Sequence, residues 1–229
     1  FMWPKSFWYK VYEPFIRKAA GLGVASTKHD KEKYEHKYEY CDLLIAGSGP
    51  SGLASAYAAA KNGARVILAE DKSRFGGTLL TSEVNIGNKS GKEWAEGIIS
   101  ELKEMPNVTV KNRSQVFGYY DHNMLVMSER ISDHLPETKK FHPKQRLWYI
   151  RANEVLISSG SIERPIVFGN NDTPGVMLSS AAKEYLKVYG VLVGRNPLIF
   201  TNNDSGYETA IEFKKNGVDP TILDTRKDP

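Results

Sequence analysis

Short, uninterrupted apolar runs alternate along this chain with longer segments whose apolar residues recur at helical spacing. Leu43–Ala46 is the first run, four residues without a polar side chain. A strand buried on both faces of a parallel sheet reads this way. Pro50–Asn62, rich in alanine, predicts a helix, and Gly63 supplies its C-terminal stop. Arg65–Ala69 returns to strand. The three elements make a βαβ unit of about thirty residues with a right-handed crossover.

Gly91–Met105 predicts a helix ended by Pro106, and Val108–Val110 a third strand. The rhythm then changes. Gln115–Tyr120, Met124–Ser128 and Arg146–Arg151 predict strands with no long helix between them. The first two are joined by a hairpin through Asp121-His122-Asn123, and "RISDHLPETKKFHPKQ" reads as a polar loop. The pattern is an antiparallel meander, about residues 111–152, set into an α/β domain. Glu154–Ser158 predicts a buried strand, and Ser179–Tyr189 a helix with Ser179 as its N-cap. Pro197–Thr201, Gly206–Asn216 and Thr221–Asp224 predict a second βαβ unit. Upstream, Lys28–Tyr40 is charge-rich, lacks helical periodicity, and reads as a linker.

The turn in the first βαβ unit carries the chemistry. In "LLIAGSGPSGLA", Gly47, Gly49 and Gly52 form G-x-G-x-x-G between strand and helix, with Ser48, Pro50 and Ser51 between them. Gly47 permits the tight turn, Gly49 leaves a pyrophosphate unobstructed, and Gly52 allows close helix–strand packing. The phosphates then meet free N–H groups and the positive end of the helix dipole. Glu70 ends the second strand, where a carboxylate accepts hydrogen bonds from the adenosine ribose, and Asp71 adjoins it. The acid repels a 2′-phosphate, so the expected cofactor is NAD or FAD rather than NADP. Both present the same ribose, and the motif does not separate them.

Two further turns join the candidate site. "RFGGTLL" places Gly76, Gly77 and Thr78 where backbone can approach the cofactor, or else forms a flexible loop. In "ANEVLISSGSIERP" a strand runs into Ser159-Gly160, beside the first domain's cofactor in two-nucleotide flavoproteins. The second unit's turn, Thr201-Asn-Asn-Asp-Ser-Gly206, keeps only the third glycine, and Asp204 adds negative charge where phosphates would lie. It reads as a turn that keeps the fold without a conventional second cofactor, although Asp224 still ends the next strand at the ribose-acid position.

The expected fold class is therefore α/β, a two-dinucleotide-binding, Rossmann-like fold of FAD/NAD(P) type with an inserted antiparallel β-meander. Its expected organisation is an aromatic and basic arm with a charged linker over residues 1–40, a dinucleotide-binding domain over 41–190, and the start of a degenerate second βαβ domain over 191–229.

Composition narrows the remaining choices. With 229 residues, 41% hydrophobic and 25% charged, the chain can build a sizeable core. The net charge of +4 comes from scattered Lys and Arg, so no nucleic-acid partner is expected. The single Cys41 excludes an internal disulfide framework and fits a reducing, cytoplasmic compartment. The five histidines show no metal-ligand spacing. No apolar run reaches the roughly 18 residues of a membrane span. The aromatic opening "FMWPKSFWYKVYEPFIRKAAGLG" is broken by Lys5, Lys10, Glu13, Arg17 and Lys18, unlike a signal peptide. The chain opens on Phe1 and stops at Asp228-Pro229, just after a strand, and is expected to be an internal piece of a longer polypeptide.

No acid–base or nucleophilic constellation emerges. "GNKSGKEW" fails as a phosphate-binding loop because Glu93 stands where Ser or Thr is needed, and "GPSG" lacks nucleophile-elbow spacing. Asp121-His122 and Asp133-His134 lie in polar turns. No catalytic residue and no metal ligand is expected in this segment.

"FMWPKSFWYKVYEPFIRKAAGLG", "LLIAGSGPSGLA", "FGGTLL", "LISSGSIERPIVFGNNDTPGVMLSSAAKEYLKVYGV" and "IFTNNDSGYETAIEF" together resemble the α-subunit family of heterotetrameric sarcosine oxidases. The resemblance covers nearly the whole chain. It implies an upstream ferredoxin-like domain, downstream folate-binding domains related to aminomethyltransferases, and partner β, γ and δ subunits. It implies an assembled enzyme that demethylates sarcosine to glycine, reduces oxygen to hydrogen peroxide, and passes the one-carbon unit to tetrahydrofolate. Oxidation would occur at a flavin on the β subunit, with FMN at the α/β interface and NAD on the α subunit. Gly47, Gly49, Gly52 and Glu70 would thus hold NAD. Related amine and proline dehydrogenases carry FAD in the comparable place, so both dinucleotides remain open.

Overall fold

A computed structural model describes residues 3–23, 25–136 and 142–227. The chain divides into two compact units, Phe1–Glu32 and Lys33–Pro229. The first is the arm. A 3₁₀ turn at Lys5–Phe7 and a π-helical turn at Trp8–Tyr12 lead into α1 (Glu13–Ala19). Pro14 sits in the first turn of α1, where a missing N–H costs no hydrogen bond. Glu13 accepts from Arg17 at 2.6 Å, one helical turn on.

The second unit is built on β1 (Tyr34–Ala46), β2 (Val66–Ala69), β5 (Val108–Lys111), β6 (Ser114–Tyr120), β7 (Met124–Arg130) and β8 (Gln145–Ile157). They form one mixed sheet in the order β5-β2-β1-β8-β7-β6. The β5, β2, β1 and β8 strands are parallel, and β8, β7 and β6 form the antiparallel meander. Alternating side chains explain the continuous apolar runs. Ile45, Val66 and Leu68 pack against α2 (Pro50–Lys61) and α3 (Gly91–Glu104). Leu44, Ile67 and Ala69 face the other way, onto Leu125, Met127, Trp148 and Ile150 of the meander. Both faces are dry, as a central parallel strand requires.

A small hairpin, β3 (Asn85–Ile86) and β4 (Lys89–Ser90), leads into α3. There the residue that spoils the phosphate-loop pattern has its own task. Ser90 Oγ accepts from Glu93 N while the Glu93 carboxylate accepts from Ser90 N at 2.9 Å, a reciprocal helix cap. The C-terminal part holds α4 (Ser179–Tyr189), β9 (Leu198–Thr201), α5 (Ser205–Lys215) and β10 (Thr221–Asp224). The β9 and β10 strands pair in parallel, and Ala182, Leu186, Ile199, Ala210, Phe213 and Val218 form their core.

Three sequence expectations are corrected. Residues 34–40, expected within the linker, are the first half of β1, paired with β8 from Tyr34 beside Gln145 onward. Their aromatic and charged residues alternate strictly, and each set finds cross-strand partners. Tyr38 stacks on Tyr149 with ring centroids 5.1 Å apart, and Glu35 accepts from Arg146 at 2.8 Å. Arg146–Arg151 and Glu154–Ser158, expected as two strands, are one continuous β8. The meander therefore shares its third strand with the parallel sheet. Ser179 does not cap α4. Its hydroxyl donates to Thr209 Oγ1 at 2.6 Å, and the Glu163 carboxylate accepts from Ser180 N at 2.8 Å instead. An acid at a helix N-terminus is favourable there. Among the described residues no helix is long and apolar enough to cross a membrane.

Candidate functional site

The turn from β1 to α2 is tight because its neighbours are close. Gly47 has φ +106°, and a Cβ on it would lie 2.3 Å from the Ser158 carbonyl oxygen and 3.1 Å from Ser159 N. A Cβ on Gly52 would lie 2.0 Å from the Gly47 carbonyl oxygen. These two glycines are required by backbone packing. Gly49 differs, because a Cβ there would meet nothing within 4 Å. Its backbone, φ −66° and ψ −177°, is one that any residue adopts. Gly49 is the N-cap of α2, Pro50 and Ser51 form its exposed first turn, and no side chain caps the helix. The open side of the turn thus combines free space with an uncapped helix N-terminus. A pyrophosphate requires that combination.

Glu70 is fixed against this turn. One carboxylate oxygen accepts from Ser48 N at 2.9 Å and from Ser48 Oγ, and the other accepts from Lys72 N at 2.9 Å. Ser48 is fully buried and Glu70 nearly so. A carboxylate has about four lone-pair sites, so the acid that braces the turn retains acceptor capacity for ribose hydroxyls.

The Gly-Gly loop closes over the same turn. Gly76, φ +120°, donates its N–H to the Ser48 carbonyl at 3.1 Å. Gly77, φ +53°, comes so near that a Cβ would lie 2.9 Å from Gly49 Cα. The loop backbone thus lies against the β1–α2 turn. Thr78 follows on the surface, in a 3₁₀ turn over Gly77–Leu80. At the end of β8 the Ser158 hydroxyl donates to the Gly47 carbonyl at 3.1 Å. The sequence reasoning named Gly76 with Gly77 and Thr78, placed Ser159 and Gly160 here, and passed over Ser158 as a site residue. Ser159 touches the turn only through its backbone, and a Cβ on Gly160 meets nothing within 4 Å. Asp71 is exposed, its carbonyl accepting from Arg130 at 2.6 Å and its carboxylate 3.4 Å from the same guanidinium.

The turn between β9 and α5 is filled by its own side chains. Asn203 N donates to Thr201 Oγ1 at 3.2 Å, and the Asn203 side chain accepts from Ser205 N at 3.0 Å. A Cβ on Gly206 would lie 2.7 Å from Thr201 Cβ, so the surviving glycine serves helix–strand packing. Arg226 lies 2.9 Å from Asp204 and forks onto Asp224, whose carboxyl it holds down at about 2. The acid at the ribose position is therefore engaged by a guanidinium.

Cys41 is a buried residue of β1, and burial pushes its thiol up to about 12. At pH 8 about one such thiol in ten thousand is ionised. Native protein is therefore expected to leave Cys41 unmodified by iodoacetamide over an hour, with labelling on denaturation. Rapid native labelling, read by intact mass, would show an open route to it.

Comparisons with known proteins bear on the fold and on the relatives of this chain. Residues 42–135 match the profile of the FAD dependent oxidoreductase family. Over 99% of its length the chain is 48% identical to sarcosine oxidase subunit alpha of Rhizobium meliloti (strain 1021), covering 23% of that protein. It is 36% identical over 90% of its length to sarcosine oxidase subunit alpha of Corynebacterium sp. (strain P-1), covering 22% of it. The chain thus spans less than a quarter of the length of these curated relatives. L-proline dehydrogenase from P. horikoshii superposes with a TM-score of 0.68 at 22% identity, over 88% of this chain and 38% of that one. The fold is that of the Rossmann-like FAD/NAD(P) proteins, α/β with a mixed central sheet.

Proposed function

We propose that this chain is the dinucleotide-holding region of an alpha subunit in a multisubunit oxidoreductase acting on CH–NH donors, of sarcosine oxidase type. The observation that carries the proposal is the open side of Gly49 above the uncapped start of α2, with Glu70 braced beside it. In this reading Gly47, Ser48, Gly49, Pro50, Ser51 and Gly52 cradle the pyrophosphate, and Glu70 takes the ribose. Gly77, Thr78, Ser159 and Gly160 line the approach, with Asp71 on the rim. NAD is the first reading of the bound dinucleotide, as the family resemblance of the sequence motifs implies. FAD is the second reading, favoured by the profile matched over residues 42–135.

The assembled enzyme would convert sarcosine to glycine, giving formaldehyde or methylene-tetrahydrofolate and hydrogen peroxide, with β, γ and δ subunits as partners. FMN at the interface with the β subunit and tetrahydrofolate would serve that complex. A dinucleotide supplies hydride chemistry when it can exchange. This segment's own residues only bind and orient it, and the role of the region is nucleotide retention and scaffolding in a cytoplasmic complex. The domain organisation proposed with it keeps residues 191–229 as the beginning of a second, degenerate nucleotide-binding-like domain. The test is to purify the full-length protein with its partners, denature it, and weigh the released nucleotide. Release of NAD supports the first reading and FAD the second. Release of neither would reduce the fold to a docking platform.

A further inference from the structure

The loop that follows Glu70 carries two cations, Lys72 and Arg74, with Arg130 of β7 beside them, and each is turned onto the protein. Arg130 donates to the Asp71 carbonyl at 2.6 Å and lies 3.4 Å from the Asp71 carboxylate. Arg74 reaches the Val188 carbonyl near the end of α4 at 3.3 Å. Lys72 has the strongest partner. Its ammonium lies 2.6 Å from both carboxylate oxygens of Glu184, on α4. Meanwhile the Lys72 backbone N–H donates to Glu70 itself. The side chain two positions beyond the ribose acid is thus drawn to a helix contributed by the C-terminal part of the chain.

That arrangement bears on which adenosine the site accepts. A 2′-phosphate beside Glu70 is repelled by the carboxylate, and sites that accept one place a cation nearby. Lys72 is a cation of suitable length and position, but Glu184 occupies it. We infer that Glu184 is a specificity-determining residue, which withholds Lys72 from the adenosine ribose and so strengthens the rejection of 2′-phosphorylated dinucleotides. The inference rests on the dinucleotide reading above and adds to it a residue distant in sequence, on a different element. Lys72 and Glu184 are both partly solvent-exposed, so the expected change is moderate rather than a full switch.

The experiment uses full-length protein stripped of endogenous nucleotide, titrated at low ionic strength with ADP-ribose and with 2′-phospho-ADP-ribose. These probes carry the adenosine end without committing to NAD or FAD. Wild type is expected to prefer ADP-ribose. Glu184→Gln should narrow that preference by about 5-fold, the scale of a released lysine meeting a phosphate, with ADP-ribose affinity unchanged. Lys72→Met alone should not narrow the preference, and in the Glu184→Gln background it should abolish the narrowing. An unchanged preference in Glu184→Gln overturns the inference while the dinucleotide reading stands. So does a narrowing that persists in the double variant, which would mean that Lys72 is not the cation responsible. Loss of ADP-ribose binding in Glu184→Gln also overturns it, because Glu184 would then serve the site's structure rather than its selectivity. Wild type that binds neither probe removes both the inference and the reading beneath it.

Discussion

Gly49→Ala and Gly52→Ala, three positions apart in the same turn, are expected to fail in opposite ways. Gly52→Ala should lower the melting temperature by about 10 °C, because its Cβ would lie 2.0 Å from the Gly47 carbonyl oxygen. That atom is backbone at the junction of β1 and α2, with Ser158 Oγ 2.8 Å away on the other side. The clash cannot be relieved by a rotamer change. Overpacking of this kind costs about 3 kcal/mol, which corresponds to that shift in a domain of this size. Gly49→Ala should melt within about 2 °C of wild type, since its backbone angles suit any residue and its Cβ enters open space. That space is where a pyrophosphate would approach the helix N-terminus. Affinity for the dinucleotide should therefore fall by about 100-fold in a protein that folds normally, on the scale of lost charge-assisted hydrogen bonds. Thermal melts paired with nucleotide titration read both effects. Full-affinity binding by a well-folded Gly49→Ala protein would place the phosphates elsewhere.

The same turn shows what the sequence makes legible. The first βαβ unit can be read directly because its strands are buried on both faces, so the apolar runs are unbroken and the glycines stand in fixed order. Tyr34–Tyr40 is harder to read for the opposite reason. That half of β1 lies away from the central core, its tyrosines are largely exposed, and Glu35 pairs across to Arg146 of β8. Its signal is a strict aromatic–charged alternation rather than apolarity, and a search for helical periodicity misses it. The continuity of β8 is hidden because Ala152, Asn153 and Glu154 dilute the apolar pattern where the strand passes from the meander to the parallel sheet. Ser158 is hidden for another reason. Its hydroxyl donates to the carbonyl of Gly47, a residue more than a hundred positions away, and sequence spacing does not connect the two. Glu163 capping α4 and Glu184 holding Lys72 join elements separated by long stretches of sequence, which neither spacing nor periodicity can connect.

Glu70 is the side chain on which brace and binding site coincide, and two substitutions separate the roles. Glu70→Ala is expected to cost about 3 kcal/mol and to reduce dinucleotide affinity by about 100-fold. The stability loss arises at Ser48, whose buried N–H and hydroxyl both donate to one Glu70 oxygen. Without it they are left unpaired, at about 1–3 kcal/mol for each buried group. Glu70→Gln keeps one oxygen. With that oxygen turned to Ser48, the amide NH₂ faces the Lys72 N–H, a donor opposite a donor, in place of the 2.9 Å hydrogen bond seen here. The cost should be about 1 kcal/mol, because one of the three acceptor contacts is lost and two are kept. Affinity should fall by about 10-fold, since an amide offers the ribose one accepting oxygen where the carboxylate offers two. The ranking wild type, Gln, Ala should therefore hold in both chemical denaturation and nucleotide titration. A Gln variant as unstable as Ala would mean that charge, rather than hydrogen-bond number, holds the turn. A Gln variant that destabilises yet binds at full strength would leave Glu70 as a brace alone, with the ribose held by other groups.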